Sequence, residues 1–97
     1  MKIEFLEPAQ IELDEAFSWY ECQQLNLGIQ FLNEFDAAIR RVITFPESYA
    51  RLDSAIRRCL INRFPYGILY GIDSDTIVIV AVAHLHRKPN YWIERLG

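Results

Sequence analysis

The chain contains little of what marks a disulfide scaffold, a metal-binding module or a membrane protein. Its 97 residues include only two cysteines, four glycines and four prolines. Cys22 and Cys59 form no CxxC pair and have no zinc-site spacing, so we expect two reduced, buried thiols and no metal. The longest uninterrupted apolar run, residues 77–83, has seven residues, which is too short to cross a bilayer.

The N-terminus also lacks the apolar segment of a secretory leader. Its first ten residues carry Glu4 and Glu7 among scattered apolar side chains, a pattern that does not fit a signal peptide. Together with thiols expected to be reduced, this predicts a cytoplasmic protein. A chain of this length can bury one core, so we expect a single domain over residues 1–97.

Charge is distributed unevenly, although the net charge is only -3. Residues 1–50 hold three basic and nine acidic side chains, whereas residues 51–97 hold seven basic and four acidic ones. A basic half can bind an anionic partner. Charged residues also protect the edges of small sheets, so the asymmetry alone leaves both interpretations open.

Two amphipathic helices are predicted in the first half, after a short strand in KIEFL. Pro8 suits the first turn of the first helix, whose acidic residues we interpret as a solvent-exposed face. Gly28 is expected to break or redirect the chain between the helices. The second helix then runs to about Phe45, where Pro46 ends it. Each helix has one apolar face and must pack against another element.

Three β-rich segments follow, namely IRRCLINRF, YGILYGI and TIVIVAVAHLH. Asp73-Ser74-Asp75 separates the last two and is typical of a tight hairpin. Because TIVIVAVA is apolar on both faces, we expect it to be the central strand. The order β-α-α-β-β-β predicts an α+β domain with a helical hairpin on one face of a small, mainly antiparallel sheet.

The basic side chains lie on these predicted strands and just after them. Alternation along IRRCLINRF places Arg57 and Arg63 on one face and Arg58 on the other. The candidate binding residues are Arg57, Arg58, Arg63, Lys88 and Trp92.

The segment HLHRKPNYW, residues 84–92, contains the groups that RNA cleavage needs. Histidine serves as acid or base near neutral pH, arginine clamps phosphate, and an aromatic ring stacks on a base. If the protein is a nuclease, the candidate catalytic residues are His84, His86, Arg87 and Tyr91. Other interpretations stay open, because His84 can be a core histidine and the two aromatic residues can pack over the sheet edge. The two histidines have no third metal ligand in sight.

Several segments resemble the RelE/ParE superfamily of bacterial type II toxins. RFPYGILY, IVAVAHLHRKP and YW resemble its C-terminal half, and EPAQIELDEAFSWYE and GIQFLNEFDAAIRRVITFPE resemble its two helices. The resemblance covers nearly the whole chain. It implies the β-α-α-β-β-β fold, growth inhibition, a cognate antitoxin in a hetero-oligomeric complex, and neither cofactor nor membrane partner.

The resemblance also separates two possible targets. RelE-like members cut mRNA on the ribosome and carry an arginine directly after the tyrosine of the middle strand, where this chain has Gly67. ParE-like members poison DNA gyrase. The glycine favours a ParE-like gyrase inhibitor. The alternative is a RelE-like endoribonuclease that uses the four candidate catalytic residues, and a third is a domain that retains only the interaction with its antitoxin. In each case we expect an acidic antitoxin tail to bind Arg57, Arg58 and Arg63.

Overall fold

The computed structural model describes residues 1–97 and places two helices on one face of a five-stranded sheet. The elements are β1 (Lys2–Phe5), α1 (Glu7–Gln23), α2 (Leu27–Thr44), β2 (Ala50–Arg51), β3 (Ile56–Leu60), β4 (Tyr66–Asp73), β5 (Thr76–His84) and a 3-10 helix (Ile93–Leu96). The predicted order and the α+β class are confirmed. The structure adds β2, a two-residue edge strand that no alternating pattern indicated.

The sheet has the strand order β1-β5-β4-β3-β2. β1 runs parallel to β5, and the other pairs are antiparallel. The prediction that β5 is the central strand is wrong by one place, because β4 lies in the middle. β5 is nevertheless buried along most of its length. Its pairing with β1 ends at Phe5 and Ile79, so the outer edge of β5 beyond Ile79 has no neighbouring strand.

Apolar side chains fill both faces of the sheet. The larger core lies between the helices and the sheet and includes Phe31, Ile68, Tyr70 and Ile79. The smaller core lies on the opposite face, where the C-terminal segment packs; its members are Ile56, Leu69, Val80, Ala81, Ala83 and Trp92. We call this second face the open face, because no helix of the hairpin covers it.

The turn between α1 and α2 is made by Asn26, which has φ 71°. The prediction that Gly28 breaks the chain is wrong, since Gly28 lies buried in the first turn of α2. A Cβ atom on Gly28 would lie 2.7 Å from the Phe17 carbonyl oxygen, so glycine allows the helices to approach closely. The Glu21 carboxylate accepts the N–H groups of Asn26 and Gly28 at 3.0 and 2.9 Å. It satisfies donors that a helix start leaves unpaired.

β3 ends at Leu60, earlier than the sequence pattern indicated. Arg63 follows in a turn with φ 72°, so the prediction that Arg57 and Arg63 share a strand face is wrong. Arg57 and Arg58 do lie on opposite faces. The Arg57 guanidinium donates to the carbonyl oxygens of Glu47 and Tyr49, both at 2.9 Å, on the helix side.

A hydrogen bond from Tyr70 connects β4, the middle strand, to the segment that follows α2. The Tyr70 hydroxyl donates to the Pro46 carbonyl oxygen at 2.6 Å, and burial raises the pKa of Tyr70 to about 12. The cysteines form no disulfide; Cys59 is buried as expected, but Cys22 is exposed, which corrects that expectation. Neither helix combines the length and apolar character that crossing a bilayer requires.

Candidate functional site

The C-terminal segment leaves β5 at His84, turns back over the open face and encloses a cleft of about 210 Å³. We call this the open-face cleft. It is lined by Leu52, Arg58, Leu69, Ala83, His84, Leu85, Arg87, Lys88, Pro89, Asn90, Tyr91 and Trp92. The lining includes basic side chains and no carboxylate. The cleft therefore suits a ligand that carries negative charge and some apolar surface.

The two histidines predicted as catalytic lie side by side where the chain leaves β5, and His84 lines the open-face cleft. Their ring centroids are 5.2 Å apart, and His84 packs edge-on against Tyr66 at 5.1 Å. The His86 backbone N–H donates to Nδ1 of His84 at 3.1 Å. Because Nδ1 accepts this bond, neutral His84 carries its proton on Nε2. The sequence thus correctly placed both histidines in one local cluster.

Arg87 and Tyr91 are also brought together, but they engage each other. The Arg87 guanidinium lies over the Tyr91 ring at 3.9 Å, a cation–π contact that covers one face of the ring. The Tyr91 hydroxyl donates to Oε2 of Glu12 at 2.7 Å. Burial, and next the bond to the Glu12 carboxylate, raise the pKa of Tyr91 well above its ordinary value. In this arrangement the Tyr91 hydroxyl is engaged by Glu12, and one face of its ring is covered by Arg87.

Glu12 is the residue that sequence reasoning missed. We interpreted the acidic residues of the first helix as a solvent-exposed face, but the Glu12 side chain is only 11% exposed. The Arg95 guanidinium donates to both of its carboxylate oxygens at 2.7 and 2.9 Å. A signal was present, since Glu12 follows Ala9 by three residues and precedes Ala16 by four. That spacing places it on the buried face of α1.

Glu12 and Arg95 bond to backbone groups of β5 beyond Ile79, where β1 no longer pairs with it. Glu12 accepts the Val82 N–H at 3.0 Å, and Arg95 donates to the Val80 carbonyl oxygen at 3.1 Å. Side chains thus satisfy backbone groups that would otherwise lack partners. Burial alone would raise the pKa of Glu12, but hydrogen bonds from Arg95, Tyr91 and Val82 outweigh it and lower the pKa.

The five predicted binding residues do not form one surface. Arg57 is held by backbone carbonyls, and Arg63 contacts Gln30 at 3.0 Å and Glu34 at 3.7 Å on α2. Trp92 is only 3% exposed, in the smaller core, so its side chain is a wall of the open-face cleft and not an exposed contact. Arg58 and Lys88 remain, and both line the open-face cleft.

A family comparison connects this geometry to known proteins. The model of the ParE toxin of type II toxin–antitoxin systems, parDE, matches residues 3–89. The chain belongs to this family. A solved structure described as the chromosomal ParDE TA system from P. aeruginosa is similar to the chain with a TM-score of 0.62 and 14% identity, covering 87% of this chain and 95% of that one. At that identity the likeness concerns the fold. No curated protein matches the sequence.

The segment of this ParE-family toxin that the family model matches does not include several residues that contact Glu12. Residues 90–97 lie outside it, yet they supply Tyr91 and Arg95 to Glu12 and Trp92 to the smaller core. The basic residues of the open-face cleft, by contrast, lie within the matched segment. The part of the chain outside the family model therefore provides one wall of the cleft.

Gly67, the position at which RelE-like nucleases carry arginine, lies beneath Arg58 in this ParE-family toxin. A Cβ atom on Gly67 would lie 2.9 Å from Cγ and 3.0 Å from Cδ of Arg58. The Arg58 stem thus occupies the space that a larger side chain at position 67 would fill. Glycine at position 67 therefore allows Arg58 of the neighbouring strand to lie where it does.

Proposed function

We propose that this ParE-family toxin inhibits bacterial growth by binding and poisoning DNA gyrase, and that a cognate antitoxin neutralises it in a toxin–antitoxin complex. The family match over residues 3–89 is the observation that carries this proposal. ParE-like members of the superfamily act on gyrase, and the glycine at position 67 departs from the RelE-like nuclease pattern. The similar solved structure is described as a ParDE toxin–antitoxin system, which supports the antitoxin part of the proposal.

The state of the aromatic residues also favours binding over RNA cleavage. Tyr91 is fixed at its hydroxyl by Glu12 and covered by Arg87, and Trp92 is buried. A nuclease that splays out a base needs an aromatic face on which the base can stack. In the open-face cleft Trp92 offers no exposed face, and one face of the Tyr91 ring is already covered by Arg87.

The second candidate function is an endoribonuclease acting on mRNA, with the ribosome as its platform. The adjacent rings of His84 and His86, which Arg87 and Lys88 follow directly in the sequence, favour it. In that case one histidine removes the 2′-OH proton, the other protonates the leaving oxygen, and Arg87 stabilises the charge on phosphorus. Tyr91 would then have to leave Glu12 in order to contact RNA.

The deciding experiment adds purified toxin, freed of antitoxin, to DNA gyrase and relaxed plasmid. We expect loss of supercoiling and accumulation of DNA that remains covalently linked to gyrase. A parallel reaction with ribosomes and mRNA should leave the RNA intact. Intact gyrase activity at large excess of toxin, with mRNA cut, would overturn the proposal.

The double variant His86→Ala, Arg87→Ala separates the two candidates in cells. Growth inhibition by a gyrase poison should survive this change, whereas RNA cleavage at the histidine pair should fall by at least about 100-fold, the usual contribution of acid–base catalysis. Co-expression of the protein encoded next to the toxin should restore growth and yield a complex on purification. A toxin that stays separate from that protein argues against it being the antitoxin.

A further inference from the structure

We infer that the open-face cleft binds a carboxylate side chain from an acidic peptide segment of a protein partner. The inference adds a binding site to the proposed function. It rests on that function because it assumes that the toxin acts through protein partners. The open-face cleft is then a docking site with Arg58 as its anchor.

Arg58 is the first reason for this assignment. Its side chain is half-buried and makes no hydrogen bond or ion pair within the chain, whereas most other arginines do. Arg40 contacts Asp36, Arg41 and Arg57 contact backbone carbonyls, Arg63 contacts Glu34, and Arg87 and Arg95 contact Glu12. A half-buried guanidinium without a partner has donors available for an anion from outside.

Gly67 is the second reason, because it determines where Arg58 lies. The absence of a side chain on Gly67 lets the Arg58 stem lie against β4. The stem therefore has a definite place on the sheet before any ligand arrives. A cation held in place loses less conformational entropy on binding than one on a free stem.

Charge and shape give the third reason. Lys88 lines the same cleft and has no ionic partner, and no carboxylate lines the cleft. The walls include Leu52, Leu69 and Leu85, and the volume of about 210 Å³ suits one or two side chains. Glutamate and aspartate present their charge on a short apolar stem, which fits a cleft with cations and apolar walls.

A nucleic acid fits the open-face cleft less well than an acidic peptide. Nucleic-acid sites combine several cations along a backbone with exposed aromatic faces. Here the free cations in the cleft are Arg58 and Lys88, while Tyr91 and Trp92 are occupied in internal contacts. One carboxylate between two cations matches this arrangement better than a run of phosphates.

The test is an NMR titration of the labelled, full-length toxin with a synthetic probe. The probe is an N-acetylated, C-amidated heptapeptide that alternates leucine and glutamate, and its matched twin carries glutamine in place of glutamate. We expect the glutamate peptide to shift the Arg58 Nε–H and the amides of residues 87–92, with an affinity that falls as salt rises. The glutamine peptide should bind at least about tenfold more weakly, since it lacks the charge.

Three variants locate the site. Arg58→Gln should lower the affinity for the glutamate peptide about tenfold, and Arg51→Gln, which removes an exposed cation outside the cleft, should leave it unchanged. Gly67→Ala keeps every charge but displaces the Arg58 stem, and it should weaken binding severalfold. Equal binding of the two peptides, unchanged binding by Arg58→Gln, or shifts produced only by a single-stranded RNA heptamer would each overturn the inference.

The two proposals can fail separately. Toxin that poisons gyrase but gives no peptide shifts at the cleft removes the docking site and leaves the proposed function. Toxin that binds the glutamate peptide through Arg58 but has no effect on gyrase removes the gyrase target and leaves the docking site. Folding of each variant is checked from its amide spectrum before titration.

Discussion

Glu12 is the residue at which distant parts of the chain meet. Its carboxylate joins α1 to Tyr91 and Arg95 near the C-terminus and to the Val82 N–H on β5. The Glu12 and Arg95 side chains are 11% and 17% exposed, so both charges are largely removed from water. In such a pair, removing one partner is costly because it leaves the other charge buried and unpaired.

We predict that Glu12→Gln lowers the free energy of unfolding by about 3 kcal/mol at pH 7, since it leaves Arg95 without its counter-ion. Urea unfolding followed by tryptophan fluorescence measures the change. Glu15→Gln on the same helix is the matched control, because Glu15 is exposed and makes no ion pair. It should change stability by less than about 0.5 kcal/mol.

The difference in stability between the wild type and Glu12→Gln should depend on pH. The pKa of Glu12 is lowered in the folded state from an ordinary value of 4.5. Its stabilising contribution is therefore fully present above pH 4.5 and is lost as the pH falls through the lower folded-state pKa. The stability gap between wild type and Glu12→Gln should shrink below pH 4.5. A gap that stays constant down to pH 3 would contradict the role given to the carboxylate.

At the scale of elements, the helical hairpin depends on a close contact and a charged cap. Gly28 brings the start of α2 against Phe17 of α1, and Glu21 accepts the two N–H groups at that start. The sequence pattern found both helices but assigned the wrong role to the glycine. Asn26 makes the turn, because asparagine tolerates a positive φ better than most residues.

We predict that Gly28→Ala destabilises the protein by about 2 kcal/mol, because the new methyl group would meet a backbone oxygen that cannot move without shifting α1. Gly71→Ala on β4 is the matched control. A Cβ atom there would lie 3.4 Å from Ile56 Cδ1 and 3.5 Å from the Ala55 carbonyl oxygen, which is ordinary contact. It should change the thermal midpoint by only a degree or two. Equal losses in both variants would refute the steric explanation.

Most elements could be predicted because their patterns are local. Alternation and helical periodicity located the two helices and the long strands β4 and β5, and Asp73-Ser74-Asp75 located the hairpin between these strands. Local patterns did not indicate where β3 ends or that β2 exists. Those boundaries depend on cross-strand pairing, such as Ala50 with Arg58, which no single segment encodes.

At the scale of the whole molecule, a helical hairpin covers one face of the sheet and a short C-terminal segment covers part of the other. This division explains which site residues the sequence could predict. His84, His86, Arg87 and Tyr91 are neighbours in sequence, so their proximity was visible. Contacts such as that between Glu12 and Arg95, which are 83 residues apart, follow only from the complete fold.

We predict that a chain ending at Pro89 keeps the core beneath the helices but exposes the smaller core. Loss of Trp92 uncovers Leu69, Val80 and Ala83, and loss of Arg95 leaves Glu12 with fewer partners. The expected cost is at least about 3 kcal/mol, the usual range for removing a buried tryptophan. Urea unfolding and binding of the dye ANS measure the two effects.

A chain that lacks only Leu96 and Gly97 is the control for this truncation. Leu96 is 47% exposed, and neither residue belongs to a core. This shorter deletion should unfold at nearly the wild-type urea concentration and bind no additional dye. If both truncations behave like wild type, the C-terminal segment does not stabilise the open face.

The parallel pairing of β1 with β5 has a consequence for how the toxin is made. Within the sheet, β1 comes first in the chain, and its only partner, β5, comes last. Domains that depend on such long-range pairing complete their folding late. Chains released before β5 lack the strand that joins β1 to the rest of the sheet. The sheet is therefore complete only after β5 has been synthesised, so products terminated before β5 should be inert.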